Sequence, residues 1–220
     1  MIPLLLIITA AISYFLGSLN GALILSLFVF RKDIRKYGSG NAGYTNFVRV
    51  FGRKWGAAVI ALDIIKTVIA VLIGALLMKI VGSQFVQVGI LFAGFCAVLG
   101  HVYPAQYQFR GGKGVVCCIT ALWVADWRIG LMATAVYVMV LAFTQYVSLA
   151  SMSACVVGAL AAWVFVAADN LKGLCGLLVL FSALIILWRH MANVIRLIEH
   201  KEPKVKWGRR PESKLRDDTF

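Results

Sequence analysis

Four polar stretches interrupt an otherwise apolar chain of 220 residues, and they hold nearly all of its reactive side chains. The first reads Gly38-Ser39-Gly40-Asn41-Ala42-Gly43-Tyr44-Thr45-Asn46-Phe47-Val48-Arg49. Its glycines free the backbone for close approach, and Ser39, Asn41, Thr45, Asn46 and Arg49 can all hydrogen-bond an oxygen anion. A turn leading into a helix cap fits the same pattern. The second stretch holds Gly100-His101-Val102-Tyr103-Pro104 and then Phe109-Arg110-Gly111-Gly112-Lys113-Gly114, just ahead of an apolar run. Glycines, two cations and a helix N-terminus make a phosphate-binding arrangement, in which amides around Gly111 and Gly112 point at the anion and Lys113 supplies a point charge. Neither the spacing G-x-x-x-x-G-K-[ST] nor a preceding strand is present, which excludes a nucleotide-hydrolysing loop.

The third stretch, Thr144-Gln145-Tyr146-Val147-Ser148-Leu149-Ala150-Ser151, has no cation. Ser148 and Ser151 lie three apart, so at the start of a helix they cap it or line one side. In the fourth, His190, Asn193 and Arg196 follow at i, i+3 steps on one helical face, with Glu199 and Glu202 beyond. A His with a polar partner on its own face can hold one tautomer and act as proton acceptor, orienter or donor. Three scattered His with few acids nearby, and no H-E-x-x-H, argue against a metal.

The elements that must position these stretches are membrane helices. The chain is 61% hydrophobic and 14% charged, with a mean hydropathy of +0.88. That excludes a disordered chain and an ordinary soluble domain. Its five Cys, at 96, 117, 118, 155 and 175, are odd in number and lie in apolar stretches, so they read as buried apolar residues rather than a disulfide framework. Runs long enough to span lie near 2–28, 55–78, 85–102, 129–147, 149–168 and 171–188. A seventh, Val115 to Ala125, is short for a bilayer core about 30 Å thick, and is tilted, re-entrant or shielded by neighbours. The first run lacks the basic start and small-residue cleavage site of a signal peptide, so it is expected to stay in the mature protein.

With seven spans, 18 of the 22 Lys and Arg fall in the four connections 31–54, 101–113, 143–150 and 189–220, which are then all cytoplasmic; Lys79, Arg128 and Lys172 lie outside, and Lys66 lies within a span. The positive-inside rule therefore puts the N-terminus outside and the C-terminus in the cytoplasm. The expected fold is an all-α membrane protein of about seven transmembrane helices. Residues 1–207 form one polytopic domain with its site at the cytoplasmic face, and 208–220 a polar basic tail suited to anionic lipid headgroups. The net charge of +13 reflects topology rather than nucleic-acid binding, because the cations are not gathered on a compact domain. Gly17 and Gly21 read as a small-xxx-small helix contact. Asp63 and Lys66, three apart within a span, read as a structural pair.

A site with Arg49, Lys113, glycines, Ser and His but few carboxylates suits a doubly charged oxyanion. Taken together, GSGNAGYTNFVR at 38–49, GHVYP with FRGGKGV at 100–115, YVSLAS at 146–151 and HMANVIRLIEHKE at 190–202 resemble the bacterial acyl-phosphate-dependent glycerol-3-phosphate acyltransferase family. The likeness runs to about residue 207. It implies a multispanning enzyme of the bacterial inner membrane that moves the acyl chain of an acyl phosphate to the 1-hydroxyl of glycerol 3-phosphate. The products are lysophosphatidic acid and phosphate, and membrane lipids are its surroundings. No cofactor is implied. The resemblance assigns roles to Ser39, Arg49, Gly111, Gly112, Lys113, His190 and Asn193, makes Glu202 structural, and matches its remaining Ser to Ser148, with Ser151 second. Departures from the family pattern are Ala42, Tyr44, Thr67, Gln145 and His200, of which Gln145 stands where an anion-binding Arg is frequent.

An acyl phosphate carries a good leaving group, so direct attack by the alcohol needs positioning and charge stabilisation rather than a covalent enzyme intermediate. The proton can go to His190, oriented by Asn193, or to a substrate phosphate. A thioester donor is disfavoured because no H-x-x-x-x-D pair is present. A phosphate or organophosphate transporter is the alternative of another class, since cations at helix ends also suit transport. Against it stand the clustering of polar stretches at one face and the lack of an internal repeat.

Overall fold

The computed structural model describes residues 1–166 and 171–205, so the 208–220 tail lies outside the described residues. The elements are α1 (Ile2–Ser18), α2 (Gly21–Ile24) continued by a π turn, α3 (Tyr44–Phe51), α4 (Arg53–Lys79), α5 (Val86–Val102), α6 (Val115–Ala125), α7 (Trp127–Thr144), α8 (Val147–Phe165), α9 (Lys172–Arg189) and α10 (Met191–Ile198). No strand occurs among the described residues. Stretches that include α4, α5, α7, α8 and α9 are each long and apolar enough to cross a membrane.

The first apolar run is not one straight helix. It breaks after Ser18, and the two parts bend by 42°. Asn20 causes the restart: its side chain accepts from the Leu23 amide at 3.0 Å and so caps α2. The short run also behaves as its length dictates. At 11 residues, α6 rises only about 16 Å, roughly half of a bilayer core. Its ends are tolerated because α4, α5, α7, α8 and α9 all pack around it.

Close helix contact is made through small residues, as expected where lipid and side chain are equally apolar. A Cβ on Gly17 would lie 2.2 Å from the Ala97 carbonyl oxygen, which confirms Gly17 as a contact between α1 and α5. Gly74 and Gly89 face each other's backbone across α4 and α5, where added Cβ atoms would come within 2.4 and 2.3 Å of the opposing carbonyl oxygens. The five Cys are buried and free. The main core lies between α5, α6, α8 and α9, with Val98, Val102, Leu122, Ala162 and Ile186 at its centre. A second cluster, built on Leu23, Ile34, Phe47 and Phe51, fastens α3 against α2 and α4.

Gly89→Leu should therefore force α4 and α5 apart. Overpacking of this kind costs about 1–3 kcal/mol, which corresponds to a melting temperature lower by roughly 2–10 °C. Gly173→Ala, where nothing lies within 4 Å of the added atom, should leave it unchanged in the same thermal-unfolding measurement.

Candidate active site

The polar stretches meet in one cavity of about 660 Å³. Ser39, Asn41, Thr45, Asn46, Arg49, Lys113, Ser148, Ser151, His190, Asn193 and Glu202 all border it. Each arrives at a helix end, where backbone groups and polar side chains need partners that lipid cannot provide.

The loop before α3 is shaped by Asn46. Its Oδ1 accepts from the Ser39 amide at 2.8 Å, and its Nδ2 donates to the carbonyls of Tyr37 at 3.0 Å and Asn41 at 3.1 Å. Asn46 is thus spent on the loop, which leaves Ser39, Asn41 and Thr45 at the cavity wall. Gly38 sits at φ +61°, and a Cβ there would strike Asn46 Oδ1 at 2.2 Å, so only glycine lets the loop close on that amide.

The Gly-rich loop departs from expectation. The amides of Gly111 and Gly112 do not point at the cavity; they donate to the carbonyls of Val102 and His101, both at 3.1 Å. Neither glycine borders the cavity, whereas Lys113 and Gly114 do. Their small size is what matters: a Cβ on Gly111 would lie 2.1 Å from the His101 carbonyl oxygen, and one on Gly112 2.2 Å from His101 Nε2. The two glycines let the loop fold tightly over the end of α5 and deliver Lys113. The first turn of α6, with Val115 and Val116 at the wall, supplies the helix N-terminus.

Around Lys113 stands a network with one carboxylate. Lys113 Nζ donates to Asn193 Oδ1, and Asn193 Nδ2 donates to Glu202 Oε1 at 2.6 Å. The Ser148 hydroxyl donates to the same oxygen at 2.8 Å, while Arg196 Nε reaches Glu202 Oε2 at 2.8 Å. Glu202 thereby organises side chains from α8 and α10, and its hydrogen bonds from Asn193, Arg196 and Ser148 outweigh burial and hold its carboxyl below the usual range. Burial, with Arg196, Arg189 and Arg49 nearby, depresses Lys113 to about 8. Arg49 is likewise lowered by burial.

His190 sits at the joint between α9 and α10. Asn193 is not what orients it: His190 Nδ1 pairs with the Ile186 carbonyl at 2.8 Å, a group the end of α9 would otherwise leave without a donor. The ring proton is then on Nδ1, and Nε2 keeps its lone pair. Burial and the neighbouring Lys113 charge depress His190 to about 4, so the ring is neutral at pH 7. Gln145 does not border the cavity; its backbone carbonyl accepts from the Val205 amide at 2.9 Å.

Sequence reasoning passed over several wall residues. Arg189, next to His190, and Tyr44 were visible only as a topology cation and an odd residue. Asp63 and His101 also reach the wall, and so does an apolar arm with Ile60, Ile64, Ile119, Trp123 and Tyr137. Those side chains belong to helix faces, and only the packing of α4, α5, α6 and α7 brings them together.

Because the free-protein value of Lys113 lies near 8, its ammonium is lost as pH rises through that value, well before an unperturbed Lys would lose it. Inorganic phosphate measured by calorimetry should therefore bind progressively more weakly from about pH 7.5 to 9.5, by up to tenfold per unit. In Lys113→Arg, whose guanidinium keeps its proton, the affinity should stay flat.

The chain matches the family model described as glycerol-3-phosphate acyltransferase over residues 7–200. The glycerol-3-phosphate acyltransferase of Thermoanaerobacter pseudethanolicus is 38% identical over 208 residues, which cover 94% of this chain and 98% of that protein. That of Clostridioides difficile is 39% identical over 200 residues, 90% and 95% of the two chains. A crystal structure of PlsY (YgiH), described as an integral membrane glycerol 3-phosphate acyltransferase in its glycerol 3-phosphate form, matches with a TM-score of 0.80 and 29% identity over 91% of this chain and 96% of that one. Its lysophosphatidic acid form matches with a TM-score of 0.76 over 91% and 95%. Helical architecture, matched length and sequence agree: the chain belongs to the glycerol-3-phosphate acyltransferase family, as a multi-pass membrane protein.

Proposed function

We propose that the chain transfers a fatty acyl group from an acyl phosphate to the 1-hydroxyl of glycerol 3-phosphate, giving lysophosphatidic acid and inorganic phosphate. The observation that carries this reading is one continuous cavity, in which Arg49, Lys113, Ser148 and His190 share walls with Ile60, Ile64, Ile119 and Trp123. Phosphate ligands and a route for an alkyl tail are thus joined. Solved relatives described in glycerol 3-phosphate and lysophosphatidic acid forms support the acceptor and the product. The distribution of Lys and Arg supports an outside N-terminus and a site facing the cytoplasm of a bacterial inner membrane.

Transfer is direct. The acceptor's hydroxyl oxygen bonds to the acyl carbon, the bond from that carbon to the phosphate oxygen breaks, and phosphate departs with the electron pair. Arg49 and Lys113 hold phosphate oxygens, Ser148 joins them by turning its one hydroxyl hydrogen from Glu202 to the phosphate, and Ser39, Asn41 and Thr45 bind further polar oxygens. His190 Nε2 accepts the hydroxyl's hydrogen bond and orients it. A ring depressed to about 4 is a weak base, so the proton ends on the departing phosphate, the stronger base at the site.

Purified protein in lipid should form lysophosphatidic acid from glycerol 3-phosphate with palmitoyl phosphate and not with palmitoyl-CoA. Arg49→Ala and Lys113→Ala should each lower kcat/KM about a hundredfold or more. Product from the thioester alone would overturn the donor. Uptake of labelled glycerol 3-phosphate into sealed vesicles without acylated product would replace the enzyme by a transporter.

The pH profile separates the two fates of the proton. In the wild type, kcat/KM should show no enzyme ionisation near the ordinary His value of about 6.5. A wild-type limb near that pH, lost in His190→Ala, would make His190 the base instead.

A further inference from the structure

Beneath the anion-facing loops lies a cluster that the transfer step does not use. Asp63, Lys66 and His101 are 2%, 5% and 4% exposed, buried between α4 and α5. Lys66 Nζ is 2.7 Å from Asp63 Oδ1, and 3.0 Å from both the Leu19 carbonyl and His101 Nδ1. An ammonium has three hydrogens and no lone pair, so these contacts use it completely. His101 Nδ1 is then the acceptor, and its ring proton sits on Nε2.

Two charges inside a membrane need each other. The pair's other partners carry more information. Leu19 lies at the break of the first run, where the Leu23 amide that would have met its carbonyl turns to Asn20 Oδ1 instead, at 3.0 Å. Lys66 replaces that donor. On the far side of the break the Gly21 amide donates to Asp63 Oδ1 at 3.3 Å. Asn20, between the two, reaches into the first loop and donates through Nδ2 to the Ala42 carbonyl at 3.0 Å.

His101 makes the corresponding contact with the second loop. Its carbonyl accepts from the Gly112 amide at 3.1 Å. A Cβ on Gly112 would fall 2.2 Å from His101 Nε2 and 2.7 Å from the Ala42 oxygen, so Gly112 is held between the cluster and the first loop. The next residue is Lys113.

We propose that Asp63, Lys66 and His101 position the two anion-binding loops against each other, so that Ser39 and Lys113 face one ligand. They are positioning residues and touch no reacting atom. The inference rests on the reading of the cavity as a phosphate-binding transferase site, and the experiment keeps the two apart.

His101→Asn keeps an acceptor near the Nδ1 position and removes the ring; His101→Leu keeps apolar bulk and removes the acceptor. With both proteins in lipid nanodiscs, His101→Leu should raise KM for glycerol 3-phosphate about tenfold or more with kcat within roughly threefold. Amide exchange across residues 38–43 and 110–114 should quicken at an unchanged melting temperature. His101→Asn should return both readouts to within about threefold of wild type, and the charge-neutral Asp63→Asn/Lys66→Met should behave like His101→Leu. A purely space-filling cluster reverses the order, with Leu equal to or better than Asn, and that result would overturn the proposal. If His101→Leu does not fold, the neutral double variant decides: wild-type KM and loop protection in it would refute positioning. If the wild type forms no product from either donor, the functional reading fails, and the exchange comparison still tests the cluster.

Discussion

Cations that share a low-dielectric cavity repel one another, and the arrangement of this protein's polar end follows from how that repulsion is contained. Arg49, Lys113, Arg189 and Arg196 border one space. Among the described lining residues only Asp63 and Glu202 are carboxylates, and Asp63 is committed to Lys66. Glu202 therefore carries the compensation. It sits at the end of a chain segment that turns back after α10, and it draws Ser148, Asn193 and Arg196 onto its two oxygens. Lys113 joins through Asn193. One carboxylate thus ties α8, α10 and the Gly-rich loop together without neutralising them.

Helix ends make such a network possible. A straight apolar helix in lipid satisfies its own backbone and offers nothing to a ligand, so polar chemistry must gather where helices stop, break or begin. Here the break at Asn20, the loop ahead of α3, the start of α6 and the joint at His190 are four such places. His190 shows the economy of the arrangement: the carbonyl that α9 leaves over at Ile186 fixes the imidazole, and the fixed imidazole keeps Nε2 available. The short α6 serves the same end, since a helix that starts inside the bundle brings its N-terminus to the cavity.

Much of this was legible in the sequence, and the parts that were not share a physical cause. Hydropathy located the long apolar helices α4, α5, α7, α8 and α9 to within a few residues, because apolar length is a property of the chain itself. Motif spacing found Arg49, Lys113, Ser148, His190 and Asn193, which now border one cavity. The sequence places Gly111 and Gly112 at the anion, and in the fold their amides donate to the Val102 and His101 carbonyls, since a glycine that exposes its amide and one that permits close packing look the same in a sequence. Asn46 has the amide chemistry of a ligand, and its partners in the fold are three carbonyls and the Ser39 amide. The break at Asn20 gave no proline or charge to mark it. Pairing between Asp63 and Lys66 followed from their spacing, while His101 could join them only through the packing of α4 on α5.

Partial neutralisation has a thermodynamic consequence. With Glu202 engaged, the cavity still holds an excess of positive charge, and part of that excess is relieved by the depression of Lys113 toward about 8. A dianion entering the cavity supplies the missing counter-charge and raises the Lys113 value again, so that the ammonium persists to higher pH with the ligand than without it. On the proposed reading, substrate phosphate is thus a structural component of the closed site as well as a reactant. Binding energy spent in gathering Arg49, Lys113 and the α6 N-terminus around it is the energy that orders the loops for transfer. Transfer leaves one phosphate on each of two molecules, as before it, so the counter-charge stays in the cavity until phosphate and lysophosphatidic acid depart, and the mutual repulsion of the cations then favours uptake of the next pair of anions.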